Sequence, residues 1–158
     1  MSFLSDYTEK NSNLIPQIDI PCFAWNSQAE QGFLFFKAKS LLPHNYTDCN
    51  LVVYAGTHDN ETIVGYFRDK TDYELAYLYE YLNIKYKEEI PDALIRAAYA
   101  SIADVVIIQM QDLMKLGNEA RMNAPSTVGR NWRWRIGTDE LSEERRAWIR
   151  TLASVYHR

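Results

Sequence analysis

Leu51-Val52-Val53-Tyr54-Ala55-Gly56-Thr57-His58-Asp59-Asn60-Glu61-Thr62 joins a short apolar run to a burst of hydrogen-bonding side chains. Leu51 to Ala55 is rich in β-formers, and Gly56 ends the run. A buried strand that empties into polar residues is how parallel α/β sheets present chemistry, because ligands sit beyond the carboxyl ends of the strands. The same letters have a plainer meaning: Asp59 or Asn60 caps the next helix, with Glu61 in its first turn.

Outward from this stretch, Ile63 to Phe67 begins a helix or an irregular turn. Asp72 to Lys87 has helical spacing, with Leu75, Leu78, Tyr79 and Leu82 on one stripe. Pro91 and Asp92 suit the first turn of a second helix, whose apolar face is Leu94, Ile95, Ala98 and Ile102. Val105 to Ile108 is apolar without alternation, as in a parallel strand buried on both faces. It too ends in polar groups, Gln109, Gln111 and Asp112. Gly117 to Gly137 is a long loop carrying Trp132 and Trp134, and long ordered loops are usually functional. Ser142 caps a final helix, with Glu143 and Glu144 at its start and Arg150, His157 and Arg158 toward its end. The order strand, helix, helix, strand, long loop, helix is part of an α/β structure with parallel strands. The strands at 51–56 and 105–110 should pair in parallel, with Asp59 and Asp112 at the same end of the sheet.

Composition narrows the partners. The 158 residues are 47% hydrophobic, enough for one domain with a real core. Seventeen basic residues against 21 acidic ones leave a formal charge of −4, which argues against nucleic acid or an anionic membrane as partner. No apolar run approaches membrane-spanning length and no basic-then-apolar leader opens the chain. Cys22 and Cys49 have no metal or redox spacing. Free thiols in a cytoplasmic protein are the expectation, with a Cys22–Cys49 disulfide the alternative. Residues 1–20 have no clear period and read as a loose arm, and Phe33-Leu34-Phe35-Phe36 suits a strand or a helix turn equally.

Five segments, in order, resemble one family. They are Leu42-Pro43-His44-Asn45-Tyr46, Thr57-His58-Asp59-Asn60-Glu61-Thr62, Gln111-Asp112-Leu113, Asn118-Glu119-Ala120-Arg121-Met122-Asn123-Ala124-Pro125 and Gly129-Arg130-Asn131-Trp132-Arg133-Trp134-Arg135. Together they resemble the C-terminal part of the 4-α-glucanotransferases, also called amylomaltases or disproportionating enzymes. The resemblance covers residues 42–158, while residues 1–41 match poorly, the stretch 20–40 above all. It implies the C-terminal part of a (β/α)₈ TIM barrel: its last two strands with their helices, an incomplete barrel, since a whole one takes about 250 residues. Leu51 to Ala55 would be the seventh strand, Val105 to Met110 the eighth, and the helix from Ser142 the last.

The family moves a segment of an α-1,4-glucan to the 4-hydroxyl of an acceptor glucan or glucose with retention. Retention takes a nucleophile and an acid/base carboxyl about 5–5.5 Å apart. The resemblance makes Asp59 a third carboxylate, the transition-state stabiliser, since an ionised carboxylate accepts short bonds from neighbouring sugar hydroxyls. His58 would donate to the same sugar, and Asn60 would hold the loop. His44, Asn123 and Trp132 are further candidates for binding an α-1,4-glucan or maltooligosaccharide. For His44 the alternative is a surface histidine in a turn, and for Asn123 the satisfaction of backbone groups. The Arg130–Arg135 cluster suits packing, with its arginines paired to acids, then sugar stacking, then nucleic-acid contact. No cofactor or metal is implied. The family's nucleophile segment, of Arg-x-Asp-His-Phe type, and its acid/base segment, of Glu-Asp-Leu-Gly type, do not occur here. The chain by itself should therefore be an inactive fragment, or a non-catalytic carbohydrate-binding or vestigial segment.

Overall fold

The computed structural model describes residues 23–26, 42–47, 49–138 and 140–158. The expectations for residues 1–20, for Phe33 to Phe36 and for Cys22 lie outside them. Cys49 is an exposed free thiol.

Among the described residues three strands form one sheet in the order β1 (Phe23–Asn26), β2 (Leu51–Tyr54), β3 (Val105–Ile107). β2 and β3 are parallel as expected, with Val52 opposite Val105, Val53 opposite Val106 and Tyr54 opposite Ile107. β1 is antiparallel to β2. No strand was expected there, and a wholly parallel sheet would not contain it.

Between β2 and β3 the chain forms α1 (Ile63–Phe67), α2 (Asp72–Leu82) and α3 (Ile90–Tyr99). The cap of α1 is Thr62, whose Oγ1 accepts from the Gly65 N–H at 3.0 Å. Neither Asp59 nor Asn60 caps it, since both precede the helix by more than one residue and their side chains are bonded to Asn123 and Thr57 instead. Thr71 caps α2 in a reciprocal box with Glu74, two orphan N-terminal donors being satisfied at once. α2 stops at Asn83, several residues short of Lys87, because Asn83 takes the left-handed conformation at φ 53°.

The stripe Leu75, Leu78, Tyr79, Leu82 does face the core. Leu75 and Leu78 join Ala55, Ile63, Phe67, Ile90 and Leu94 in one buried cluster, with Tyr79 and Leu82 against its edge. A second cluster joins the sheet, Val53, Ala98 and Ala103, to Tyr46, Leu51, Val106 and Ile108. α3 spans both, Leu94 in the first and Ala98 in the second. Ile102, expected on that face, lies beyond the helix end and is exposed.

β3 departs from the doubly buried strand expected of it. Val105 is 45% exposed and Ile107 56%, while Val106 between them packs against Val53. The run is apolar on both faces, but among the described residues the face of Val105 and Ile107 is only partly covered.

After β3 come a one-turn helix α4 (Met110–Leu113), a 3₁₀ turn at Asn118–Ala120, the long irregular segment, and α5 (Glu143–Val155). Ser142 caps α5 as expected, its Oγ accepting from Arg145 N at 3.2 Å. α5 fully buries a single side chain, Leu152, so polar contacts dock it. Arg145 lies 2.7 Å from Asp92 Oδ1, and Lys115 reaches the other oxygen at 2.8 Å. Arg145 also covers the Trp148 ring at 3.9 Å. At the far end Arg158 donates to the carbonyls of Tyr99, at 2.9 Å, and Ser101, at 2.6 Å. Arg158 thus grips α3 rather than the dipole of its own helix. No helix among the described residues is long and apolar enough to cross a membrane.

Candidate active site

The polar burst after β2 is a tight loop. Asn60 Oδ1 accepts from both the Thr57 N–H and the Thr57 hydroxyl, each at 2.8 Å. Asn60 therefore holds the loop, and His58 and Asp59 are left at its exposed tip. The segment after the 3₁₀ turn folds against that tip. Asn123 Nδ2 donates to Asp59 Oδ1 at 2.6 Å, and the Asn123 N–H donates to the His58 carbonyl at 3.0 Å. His58 Nε2 lies 3.3 Å from the same carboxylate oxygen. The Trp132 ring sits 5.0 Å from the His58 ring, tilted by 38°.

Four of the sequence candidates, His58, Asp59, Asn123 and Trp132, are thus brought together although up to 74 residues separate them (132 − 58). Asp59 is held through one oxygen only. Among the described residues nothing engages Oδ2, and each carboxylate oxygen can accept two bonds. The arrangement offers a fixed negative acceptor, an imidazole beside it and a half-exposed indole, which suits a ligand that has hydroxyls and a flat apolar face.

Trp132 is held there at some conformational cost. Its φ is +64°, a left-handed value that a bulky residue seldom adopts, at a cost on the order of 1–3 kcal/mol. The Trp132 N–H donates to the Met122 carbonyl at 2.6 Å. Asn131 ties the loop shut by accepting from Ala124 N at 3.0 Å and donating to the Thr127 carbonyl at 3.1 Å. No arginine of the 130–135 cluster pairs with an acid among the described residues, contrary to the packing expectation. Arg135 instead donates to the carbonyls of Trp132 and Trp134, at 3.0 and 2.7 Å.

His44 goes elsewhere. It stands in a 3₁₀ turn (Pro43–Asn45) ahead of β2, and its Nδ1 is 3.0 Å from the Tyr81 hydroxyl. With Tyr81, Arg96 and Tyr156 it lines a groove of roughly 930 Å³ to which none of the other four candidates contributes. Among the described residues no hydrogen bond, ion pair or ring contact joins His44 to the Asp59 cluster. No cluster of three His, Cys, Asp or Glu there could hold a metal ion.

Residues that were not candidates supply the frame. Arg121 Nη2 donates to the Asp59 carbonyl at 2.7 Å and its Nε to the Asn123 carbonyl at 2.8 Å, so one guanidinium binds the two loops together. Asn118 Nδ2 donates to Glu61 at 2.9 Å. Gly65 permits that approach, since a Cβ there would fall 2.0 Å from Asn118 Oδ1. The signal was an arginine and two asparagines packed into six residues, 118–123. Their partners lie about 60 positions away, which spacing cannot reveal.

Asp112 is 1% exposed, and its Oδ1 accepts from the Ile63 N–H at 2.7 Å. Burial pushes its carboxyl up from 3.8 to about 6, against the opposing pull of that N–H. The folded value lies above the unfolded one. The group's contribution to stability is therefore full below pH 3.8 and is lost as pH rises through 6. At about 1.4 kcal/mol per pH unit the loss is roughly 1–3 kcal/mol. Asp112→Asn removes the ionisation and keeps an acceptor at Oδ1. It should unfold at a higher urea midpoint than the parent at pH 8 and at a similar one at pH 4. Parallel pH profiles for the two proteins would show that Asp112 is not the group concerned.

Comparisons with known proteins agree with the motifs. The family profile described as 4-alpha-glucanotransferase (glycoside hydrolase family 77) matches residues 10–140, a range that begins ahead of the stretch 20–40 which the motifs left out. The chain is 37% identical over 150 residues to a 4-alpha-glucanotransferase of Thermus thermophilus, covering 91% of this chain and 28% of that protein. It is 43% identical over 128 residues to one of Aquifex aeolicus, covering 80% and 26%. A similar solved structure is the amylomaltase from Streptococcus agalactiae in complex with acarbose, with a TM-score of 0.70 and 39% identity over 77% of this chain and 24% of that one. The chain spans about a quarter of the length of the curated relatives it matches.

Proposed function

Because this chain belongs to the 4-α-glucanotransferase family, we propose that it supplies the last part of a (β/α)₈ barrel that transfers α-1,4-glucan segments with retention. β2 and β3 are its seventh and eighth strands and α5 its final helix. Asp59 stabilises the transition state, and His58, Asn123 and Trp132 form the wall around the distorted sugar. The nucleophile and the acid/base come from residues beyond these 158. His44, paired with Tyr81, has no part in this assignment.

The observation that carries the reading is the one-sided hold on Asp59. Oδ1 is fixed by Asn123 and Oδ2 has no partner among the described residues, so the carboxylate is aimed before substrate arrives. Such an acceptor gains most as positive charge develops at the anomeric carbon and the hydroxyls beside it become better donors. The indole of Trp132 and the ring of His58 offer faces for the apolar side of a pyranose. An acceptor sugar's 4-hydroxyl takes the place of water in the second displacement, which gives transfer instead of hydrolysis.

Acarbose is a suitable probe, since it occupies the amylomaltase from Streptococcus agalactiae. Titrated into the ¹⁵N-labelled chain, it should move the amide signals of residues 57–61 and 121–132 and the Trp132 indole N–H. Those shifts should vanish in Asp59→Ala. Shifts confined to the groove of His44 and Tyr81 would place the sugar elsewhere and defeat the proposal.

A further inference from the structure

We propose that Gln109 and Asp112, on the turn leaving β3, are positioning residues that clamp the two ends of the His58–Asp59 loop and so aim the Asp59 carboxylate; this rests on the role given to Asp59 above. Gln109 Nε2 donates to the Thr57 carbonyl at 3.1 Å. Asp112 Oδ1 accepts from the Ile63 N–H at 2.7 Å. Thr57 and Ile63 bracket His58 to Thr62, so each side chain holds one end of the segment and neither touches Asp59.

Three further observations single out these contacts. Asp112 is almost wholly buried, yet Oδ2 has no partner among the described residues. A buried acid is costly, and core packing alone would be served better by an apolar residue of similar size. The use this one has is the backbone N–H that opens α1. Gly56 provides the path for Gln109, because a Cβ at that position would lie 2.9 Å from Gln109 Nε2. Gln111, between the two, donates to the Ala120 carbonyl at 3.3 Å and so touches the segment that brings Arg121 and Asn123 to Asp59. One four-residue turn thereby sets both loops that meet at the carboxylate. With its ends held, the loop loses the freedom that would otherwise be given up on binding a glucan.

The Asn123 side-chain amide proton, which donates to Asp59 Oδ1 over 2.6 Å, reports the aim of the carboxylate directly. Its resonance should be followed in the ¹⁵N-labelled 158-residue chain and in Gln109→Ala, Asp112→Ala and Asp112→Asn, with Asp59→Ala marking the position of the unbonded amide. We expect Gln109→Ala and Asp112→Ala to shift the signal most of the way toward that marker. Asp112→Asn keeps the acceptor and should leave the signal in place. An unmoved signal in folded Gln109→Ala and Asp112→Ala, whatever their melting temperatures, overturns the clamp. So does Asp112→Asn shifting as far as Asp112→Ala. If Asp112→Ala does not fold, Gln109→Ala, a partly exposed position, decides the matter. Acarbose added to the same unsubstituted sample separates the two ideas. A bonded Asn123 amide without acarbose binding sinks the role of Asp59 and leaves the clamp standing.

Discussion

Asp59→Asn should lower glucan transfer on the order of 10³-fold, the scale for losing one preorganised electrostatic contact to a transition state. The assay needs the nucleophile and acid/base, so the substitution belongs in a chimaera in which residues 42–158 replace the matching part of the Thermus thermophilus relative. Asparagine keeps the size of the side chain and an acceptor for Asn123 Nδ2, so the loop should survive. What goes is the negative charge and the open Oδ2, replaced by an amide that donates where the sugar hydroxyl also donates. A carboxylate whose bonds strengthen as the ring distorts is felt in kcat more than in KM. Glucose release from maltotriose should therefore show kcat collapsing with KM little changed. A rise in KM at constant kcat would make Asp59 a ground-state contact and nothing more.

Phe67→Ala should cost about 3–5 kcal/mol, a large share of the 5–15 kcal/mol that holds an ordinary domain together. Phe67 ends α1 and is nearly fully buried in the cluster of Ile63, Leu75, Leu78, Ile90 and Leu94. Removing the ring leaves a cavity that three helices line, and they cannot all close on it. The effect reaches the site, because Thr62 and Ile63 at the other end of α1 anchor the loop that carries Asp59. Urea unfolding of the 158-residue chain measures it, together with the signal of the Asn123 side-chain amide. A loss below about 1 kcal/mol would mean that the cluster repacks easily and that α1 is not rigidly seated.

Much of the architecture was legible because periodicity reports burial. Leu75 and Leu78 face the core as the helical spacing requires, and Val52 to Tyr54 pair with Val105 to Ile107 as two β-rich runs should. Caps were legible where a hydroxyl stands just before an apolar or acidic turn, as Ser142 does before α5. After β2 they are ambiguous, because Thr, Asp and Asn all favour the position and only the helix start at Ile63 selects Thr62. Asn83 ended α2 early because one left-handed residue stops a helix however well the stripe continues. The exposure of Val105 and Ile107 was hidden, since an apolar run does not say how many neighbours it will find.

By itself the sequence determined which residue types stand after each strand: His58 and Asp59 after β2, Gln109, Gln111 and Asp112 after β3, Asn123 and Trp132 in the long loop. Those are local facts, written in order along the chain, and motifs record them well. Only the tertiary structure decided which of them meet. It set Asn123 and His58 on the same oxygen of Asp59, put Arg121 beneath both loops and sent His44 to Tyr81. Hydrogen bonds are made over about 3 Å in space, and the separation of their partners along the chain, here as many as 64 residues, leaves no trace in local spacing.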